Sequence, residues 1–231
     1  MQLFHHPTSA ASRAIRLVLG EYGVEAELHE ERVWERRPEF LLMNPAGTLP
    51  VLVDEAVVVS GAGPAAEYLD ETVGPLHREA RLYPETAAGR AEMRRVADWA
   101  LGKLEAEVVR YTVNERVTRR LMGAQGLPGG APDSKALRAA RTNIRHHLAY
   151  LGHLAATRRW LAGDRLTYAD LAAAAALSVL DYLGEVDWGD AEGNELRLWY
   201  AKLKSRPSFR PLLADRLRGI PPASHYADLD F

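Results

Sequence analysis

Several groups of residues in this 231-residue chain have types and spacing that bear on chemistry. Gly61-Ala62-Gly63-Pro64-Ala65-Ala66 fits G-x-G-x-x-A after an apolar, β-branched run, the pattern that cradles a dinucleotide pyrophosphate. A dinucleotide site continues into a further strand with an acidic end. Here a Pro/Gly-containing stretch follows, so the glycines are read as shaping a turn. His5-His6 and His146-His147 are adjacent pairs, and adjacent side chains diverge on a strand or a helix, so neither pair chelates easily. His146 and His153 share a helical face without a third ligand, and no metal or cofactor is expected. The chain has no Cys, which excludes disulfides, thiol redox chemistry and a cysteine nucleophile. No Ser/His/Asp set carries an elbow motif.

Three further features point to binding. Arg116, Arg119 and Arg120 close one long apolar-periodic segment, and Arg138, Arg141 and Arg145 recur at three and four residues on the next. Arginines so placed can grip carboxylates of a protein partner; the plainer alternative is a solvated helix face. Trp34 lies in Val33-Trp34-Glu35-Arg36-Arg37-Pro38, where an exposed Trp among charges is a binding anchor and a buried one packs under its own loop. The C-terminal tail, Ile220-Pro221-Pro222-Ala223-Ser224-His225-Tyr226-Ala227-Asp228-Leu229-Asp230-Phe231, alternates aromatic and acidic residues where frayed ends are usually featureless. It reads as a recognition peptide or as a strap docked on its own domain.

The elements that position these residues fall into two parts. Gln2–His6 reads as a strand, Pro7-Thr8-Ser9 as a helix start, Ala26–Val33 as a second strand and Pro38–Met43 as a short helix. Leu49–Val53 and Ala56–Ser60 form a plausible hairpin, and Pro64 opens a helix through Leu69. This β-α-β-α-β-β-α order predicts a thioredoxin-like α/β domain over residues 1–74, with a linker over 75–86. Helical periodicity follows: Arg90–Leu121, with Met93, Val96, Ala97, Ala100, Leu101, Leu104, Val108 and Tyr111 inward; then Lys135–Thr157, Leu166–Leu183 and Leu196–Lys204. An all-helical domain over 87–219 and a tail over 220–231 complete the expectation.

Composition agrees with a folded, globular chain: 47% of residues are apolar, and 29 basic against 31 acidic side chains leave a formal charge of −2. That balance argues against a broad nucleic-acid face. The most apolar run, Leu171–Leu183, is interrupted by Ser178, Asp181 and Tyr182 and is too short to span a bilayer. The start lacks the basic and apolar regions of a signal peptide, so a cytoplasmic protein is expected.

Specific segments then carry a family resemblance. Pro7-Thr8-Ser9 with Arg13-Ala14-Ile15-Arg16, Asn44-Pro45-Ala46-Gly47-Thr48-Leu49-Pro50-Val51-Leu52, and Thr167-Tyr168-Ala169-Asp170 resemble bacterial glutathione S-transferases over nearly the whole chain. The resemblance implies a thioredoxin-like domain followed by an all-helical transferase-type domain. It makes Pro50 the cis-proline that exposes backbone groups to glutathione, Thr167 and Asp170 a capping box, and Ser9 the residue placed to activate a thiol. Ser is equally an excellent N-cap, the reading favoured here. The family usually sets an acidic residue and a Ser before the last helix of the first domain, to hold the γ-glutamyl end of glutathione. Here those positions are Gly61 and Ala62, which carry no side-chain donor or acceptor. The pocket formed by Ser9, Leu49, Pro50, Gly61 and Ala62 is therefore read as degenerate.

The tail and the missing handle together resemble one branch of this family: dimeric, transferase-like proteins of bacterial cell division that bind FtsZ, the tubulin-like division polymer. That resemblance implies a non-enzymatic homodimer at the division site that curves or bundles filaments and promotes constriction. Trp34, Arg116, Arg120 and Arg141 would face FtsZ, and Asp228 and Asp230 would serve the tail, which could engage another division protein. The competing expectations are a working glutathione transferase with an altered anchor, or a dimeric scaffold for a different partner.

Overall fold

The computed structural model describes residues 1–189 and 194–229. Strand β1 (Gln2–His5) buries Leu3 and His5 while Gln2 faces outward, the period-two signature of a half-covered strand. Helix α1 (Ala10–Glu21) carries the chain to β2 (Glu27–Glu30), which pairs parallel to β1, with Leu3 opposite Leu28. After the short α2 (Pro38–Met43), β3 (Val51–Asp54) runs antiparallel to β1 and turns directly into β4 (Val57–Ser60), with Leu52 opposite Val59. The sheet order is β2-β1-β3-β4. Helix α3 (Ala62–Thr72) follows, and α1 and α3 cover one face.

The segment after α3 is packed. Leu82 and Tyr83 are buried, and their N–H groups donate to Oδ1 of buried Asp70 at 3.0 and 3.1 Å. The Tyr22 hydroxyl donates to the same carboxylate, and Arg81 closes it from the other side.

A continuous helical rod then runs from Ala87 to Ala124. It begins as α4 (Ala87–Asp98), widens to π-helical turns over Trp99–Val109, continues as α5 (Arg110–Val113), widens again over Asn114–Thr118, and ends as α6 (Arg119–Ala124). The N–H groups of Arg110 and Arg119 accordingly bond to carbonyls five residues back, those of Glu105 and Asn114. The three- and four-residue spacing expected for this segment fails at its end for that reason. Each widened turn rotates the inward stripe, so Tyr111 is 44% exposed and Thr112 is buried in its place. Helices α7 (Ser134–Thr157), α8 (Tyr168–Tyr182), α9 (Glu195–Lys204) and α10 (Arg210–Leu213) complete the fold.

Helix α8 is the axis of the molecule, with every one of its residues buried. Alanines 172–176 have no bulk to hold α1, α4 and the π-helical segment away. At its start, the Thr167 N–H and hydroxyl donate to the Asp170 carboxylate at 3.0 and 3.1 Å. Leu161 N–H and the Trp199 indole donate to its other oxygen. Asp170 is a structural cap, as its spacing predicts.

The two halves are locked through Arg13, which is fully buried on α1. Its Nε donates to Pro7 O at 2.6 Å, and one terminal nitrogen donates to Ser178 Oγ at 2.9 Å and the Tyr226 hydroxyl at 2.8 Å. Arg16, one turn on, forms a bidentate pair with Asp215 at 2.7 and 2.9 Å. Tyr226 in turn donates to Leu212 O at 2.9 Å, and Ala223 N–H reaches Tyr182 O. The tail is a docked strap up to Tyr226. Tyr226→Phe removes a buried partner of a charged group and should lower stability by about 1–3 kcal/mol. Thermal unfolding should register this as a drop of several degrees for a chain of this size.

Candidate functional site

A cleft of about 560 Å³ opens between the sheet edge and the helical rod. Its floor comes from the β1–α1 junction, through His6, Thr8 and Ser9. One side wall holds Trp34 and Leu49, and the opposite wall holds Leu101 and Glu105 on the π-helical segment. That volume lies in the range of small-molecule sites.

Of the expected pocket residues, Ser9 and Leu49 line this cleft. Ser9 caps α1, its Oγ accepting from Ser12 N–H at 3.1 Å, while remaining half-buried at the cleft floor. The Leu49–Pro50 peptide is cis. Pro50 is buried, and its carbonyl accepts from Gly61 N–H at 2.9 Å, which ties the start of α3 to the start of β3. Gly61 and Ala62 are absent from the cleft lining. Gly61 is the N-cap of α3 with φ 93° and ψ 149°, a conformation that residues with a Cβ adopt only under strain. Replacing it by an acidic residue therefore carries a backbone cost that the linear sequence hides. Gly61→Glu should lose about 1–3 kcal/mol in a denaturant titration, whereas Ala62→Ser, at a helical position, should stay within about 0.5 kcal/mol.

Trp34 neither packs beneath its loop nor stands free. Its indole N–H donates across the cleft mouth to Gln125 Oε1 at 3.1 Å, and Gln125 Nε2 donates back to Glu35 at 2.8 Å. Its ring meets His6 edge-on at 5.6 Å. Trp34 is thus a half-buried latch between the sheet domain and the end of the helical rod.

The expected arginine ridge divides. Arg116 and Arg141 converge on Glu185, a largely buried carboxylate just after α8, at 2.5 and 2.8 Å, and Arg116 also donates to Leu183 O. Two of the three arginines expected to face a partner therefore first neutralise a residue of their own chain, because an isolated buried carboxylate is costly. Arg119 donates to Ala131 O at 2.7 Å. Arg120 is exposed beside Gly219, where the tail begins. In the tail, Asp228 is exposed and its N–H bonds to His225 O at 3.0 Å. Asp230 lies outside the described residues.

His6, read in the sequence only as a poor chelator, and Glu105, which the sequence reading did not single out, both line the cleft. His6 Nδ1 accepts from the Thr8 N–H at 3.3 Å and contacts the Thr8 hydroxyl at 2.8 Å, so its proton sits on Nε2, which has no partner. Burial lowers its pKa and keeps the ring neutral. Glu105 Oε2 is shielded from solvent and also unpartnered. Burial pushes this carboxyl up to about 7, against a smaller opposing pull from Arg110. Glu105 falls four residues after Leu101 and three before Val108, and a carboxylate inside an apolar stripe was the available signal. Because its folded pKa lies above the unfolded value, Glu105 costs stability as pH rises from about 4.5 to about 7. Glu105→Gln should therefore raise the melting temperature relative to the unmodified protein by more at pH 8 than at pH 5, measured by scanning calorimetry.

Among the described residues, no group of three metal-ligating side chains comes together, and no helix is long and apolar enough to cross a membrane.

The sheet order, the cis Leu49–Pro50 bond and the all-helical second half define a transferase-type fold, and the family models agree. The glutathione S-transferase N-terminal domain matches residues 3–77 and the C-terminal domain residues 134–202. The chain belongs to the glutathione S-transferase family. Within it, the chain is 44% identical over 99% of its length to FtsZ-localized protein A of Caulobacter vibrioides, covering 97% of that protein. The structure of FzlA from C. crescentus superposes with a TM-score of 0.89 at 43% identity, covering 100% of this chain and 99% of that one. A structure described as a glutathione S-transferase from Sinorhizobium meliloti 1021 is also similar, with a TM-score of 0.94, 57% identity, and coverage of 100% and 99%.

Proposed function

We propose that this protein is a non-enzymatic cell-division factor that binds FtsZ as a homodimer and curves or bundles its filaments. The observation that carries this reading is the end-to-end similarity to FtsZ-localized protein A, at 44% identity over 99% of the chain. The altered handle supports it: Gly61 and Ala62 offer backbone and a methyl where transferases hold glutathione, and neither lines the cleft. Two copies related by a two-fold would present two identical surfaces, so one dimer can join two subunits or two filaments. Action is then in the cytoplasm at the division site, with promotion of constriction as the outcome.

Arg120 and Trp34 are the sharper contact candidates, because Arg116 and Arg141 act through the triad with Glu185. Arg116 and Arg141 still hold 37% and 61% side-chain exposure, enough to meet an acidic partner on their outer edges. Asp228, exposed just beyond the Tyr226 anchor, and Asp230 would present the tail to FtsZ or to a second division protein.

Co-sedimentation with FtsZ polymer, with electron microscopy of the filaments, tests the proposal. The protein should pellet with polymer and change filament shape. Arg120→Glu should weaken pelleting roughly ten-fold, the effect of losing one good charged contact, with an unchanged melting temperature. Failure to co-sediment together with unaltered filaments would reject the reading.

A second reading rests on Ser9 at the cleft floor beside the cis Leu49–Pro50 bond and on the similarity to the Sinorhizobium meliloti structure. It is glutathione conjugation with an altered anchor. Calorimetric binding of glutathione and turnover of a model electrophile that falls on Ser9→Ala would favour it.

A further inference from the structure

Helix α7 carries Lys135, Arg138, Arg141 and Arg145 and no acidic residue over its 24 residues. These four charges sit in a chain of formal charge −2, so the rest of the molecule carries −6. Steps of three and four residues set them along one side of the helix, over about 15 Å from Lys135 to Arg145. All four are exposed, and the exposed residues between them, Ala139 and Thr142, are small. Among the described residues, the ion pairs of this region fall on Arg116, Arg119 and Arg141, and they leave Lys135, Arg138 and Arg145 without a carboxylate at ion-pair distance. Glu185 and Glu115 are buried behind the arginines that hold them. Asp133 is exposed and accepts from the Lys135 and Ala136 N–H groups, and Asp187 is exposed beside Arg141 and Arg145. The loop leading into α7 folds back on α6. Leu127 N–H bonds to Met122 O at 2.9 Å, Arg119 donates to Ala131 O at 2.7 Å, and Gly129 lies so close to the Arg119 carbonyl that a Cβ would overlap it. Leu127 is left 42% exposed, on the stretch of chain between the α6 arginines and Lys135.

From this arrangement we infer that the N-terminal half of α7 is an adsorption surface for an anionic lipid bilayer, with Lys135, Arg138, Arg141 and Arg145 over the headgroups and Leu127 at their apolar boundary. An anionic leaflet attracts every cation near its surface and requires no fixed pairing geometry, which suits long side chains spaced along one helix face. The negative charge on the rest of the chain is repelled by the same leaflet, so the molecule is turned with α7 toward it. Leu127 distinguishes a bilayer from a soluble polyanion. An acidic protein segment would use the cations alone, whereas a bilayer also takes an exposed leucine out of water. Attachment of this kind is peripheral and reversible, and it requires no spanning helix, in keeping with the described residues.

The test is sedimentation of the full chain with vesicles of phosphatidylcholine, either alone or with about a third phosphatidylglycerol, at about 0.1 M salt. The protein should pellet with the anionic vesicles, stay in solution with the neutral ones, and be released when salt is raised to about 1 M. The triple substitution Lys135→Gln, Arg138→Gln and Arg145→Gln should weaken binding on the order of a hundred-fold, about five-fold for each cation. Leu127→Ser should weaken it about ten-fold, the effect of one leucine returned to water, while leaving retention on immobilised polyglutamate unchanged. All four positions are exposed, so the melting temperature of each variant should match that of the unmodified chain. Excess soluble glycerol phosphate should not displace the protein from the vesicles. Equal pelleting with neutral vesicles, no pelleting with anionic ones, or undiminished binding by the triple variant would overturn the assignment. So would displacement by glycerol phosphate, which would mark a free-anion site, or vesicle binding indifferent to Leu127→Ser, which would mark a surface for an acidic protein. The substitutions leave Trp34 and Arg120 in place and the assay contains no FtsZ, so this surface and the polymer-binding one stand or fall separately.

Discussion

The structure turns on a buried cation at the junction of the two domains. Arg13 has no access to solvent, and burying a guanidinium without compensation would be prohibitive. It is tolerated because three parts of the chain meet on it: the Pro7 carbonyl at the head of α1, Ser178 in the middle of α8, and Tyr226 from the tail. Asp215 lies 3.6 Å away and is held bidentately by Arg16. The rings of Tyr182 and Tyr226 stand 5.7 and 5.8 Å from its guanidinium carbon. Arg13 is thus one of the ties between the sheet domain and the helical domain, beside the Arg16–Asp215 and Glu21–Arg206 pairs and the apolar contact of α1 with α8.

The same constraint divides the tail into two roles. Up to Tyr226 it is structural, because its hydroxyl accepts from Arg13 and donates to Leu212 O. Beyond Tyr226, Ala227, Asp228 and Leu229 are exposed. The chain turns back on itself at this point, with Tyr226 N–H bonding to Ala223 O and Asp228 N–H to His225 O, both at 3.0 Å.

The cleft separates what the scaffold fixes from what individual side chains supply. The backbone bond from Gly61 to Pro50, the Ser9 cap and the cis peptide are all scaffold features, and all remain. Gly61 and Ala62 carry no side-chain donor or acceptor, while on the rod the Glu105 Oε2 atom is buried without a hydrogen-bond donor. Binding chemistry resides in a few side chains, whereas the space they line is set by packing that many residues share.

What the sequence by itself determined is the local part. The hairpin about Asp54-Glu55, the Ser9 cap, the Thr167/Asp170 capping box, the proline after Leu49 and the missing acidic residue and hydroxyl at Gly61 and Ala62 are all written within a few residues. Tertiary structure alone decided the rest. Arg116 and Arg141 read as a free ridge, yet both close on Glu185, from 69 and 44 residues away. Tyr226 reads as part of a loose peptide, yet it accepts a hydrogen bond from a buried arginine 213 positions earlier. Glu105 reads as one more charge on a long helix, yet π-helical turns and the facing sheet edge bury its carboxylate oxygen without a donor. Periodicity and capping act between near neighbours in the chain, so they are legible there. Burial and pairing depend on which distant surfaces meet, and a charged side chain's role is set by what it meets.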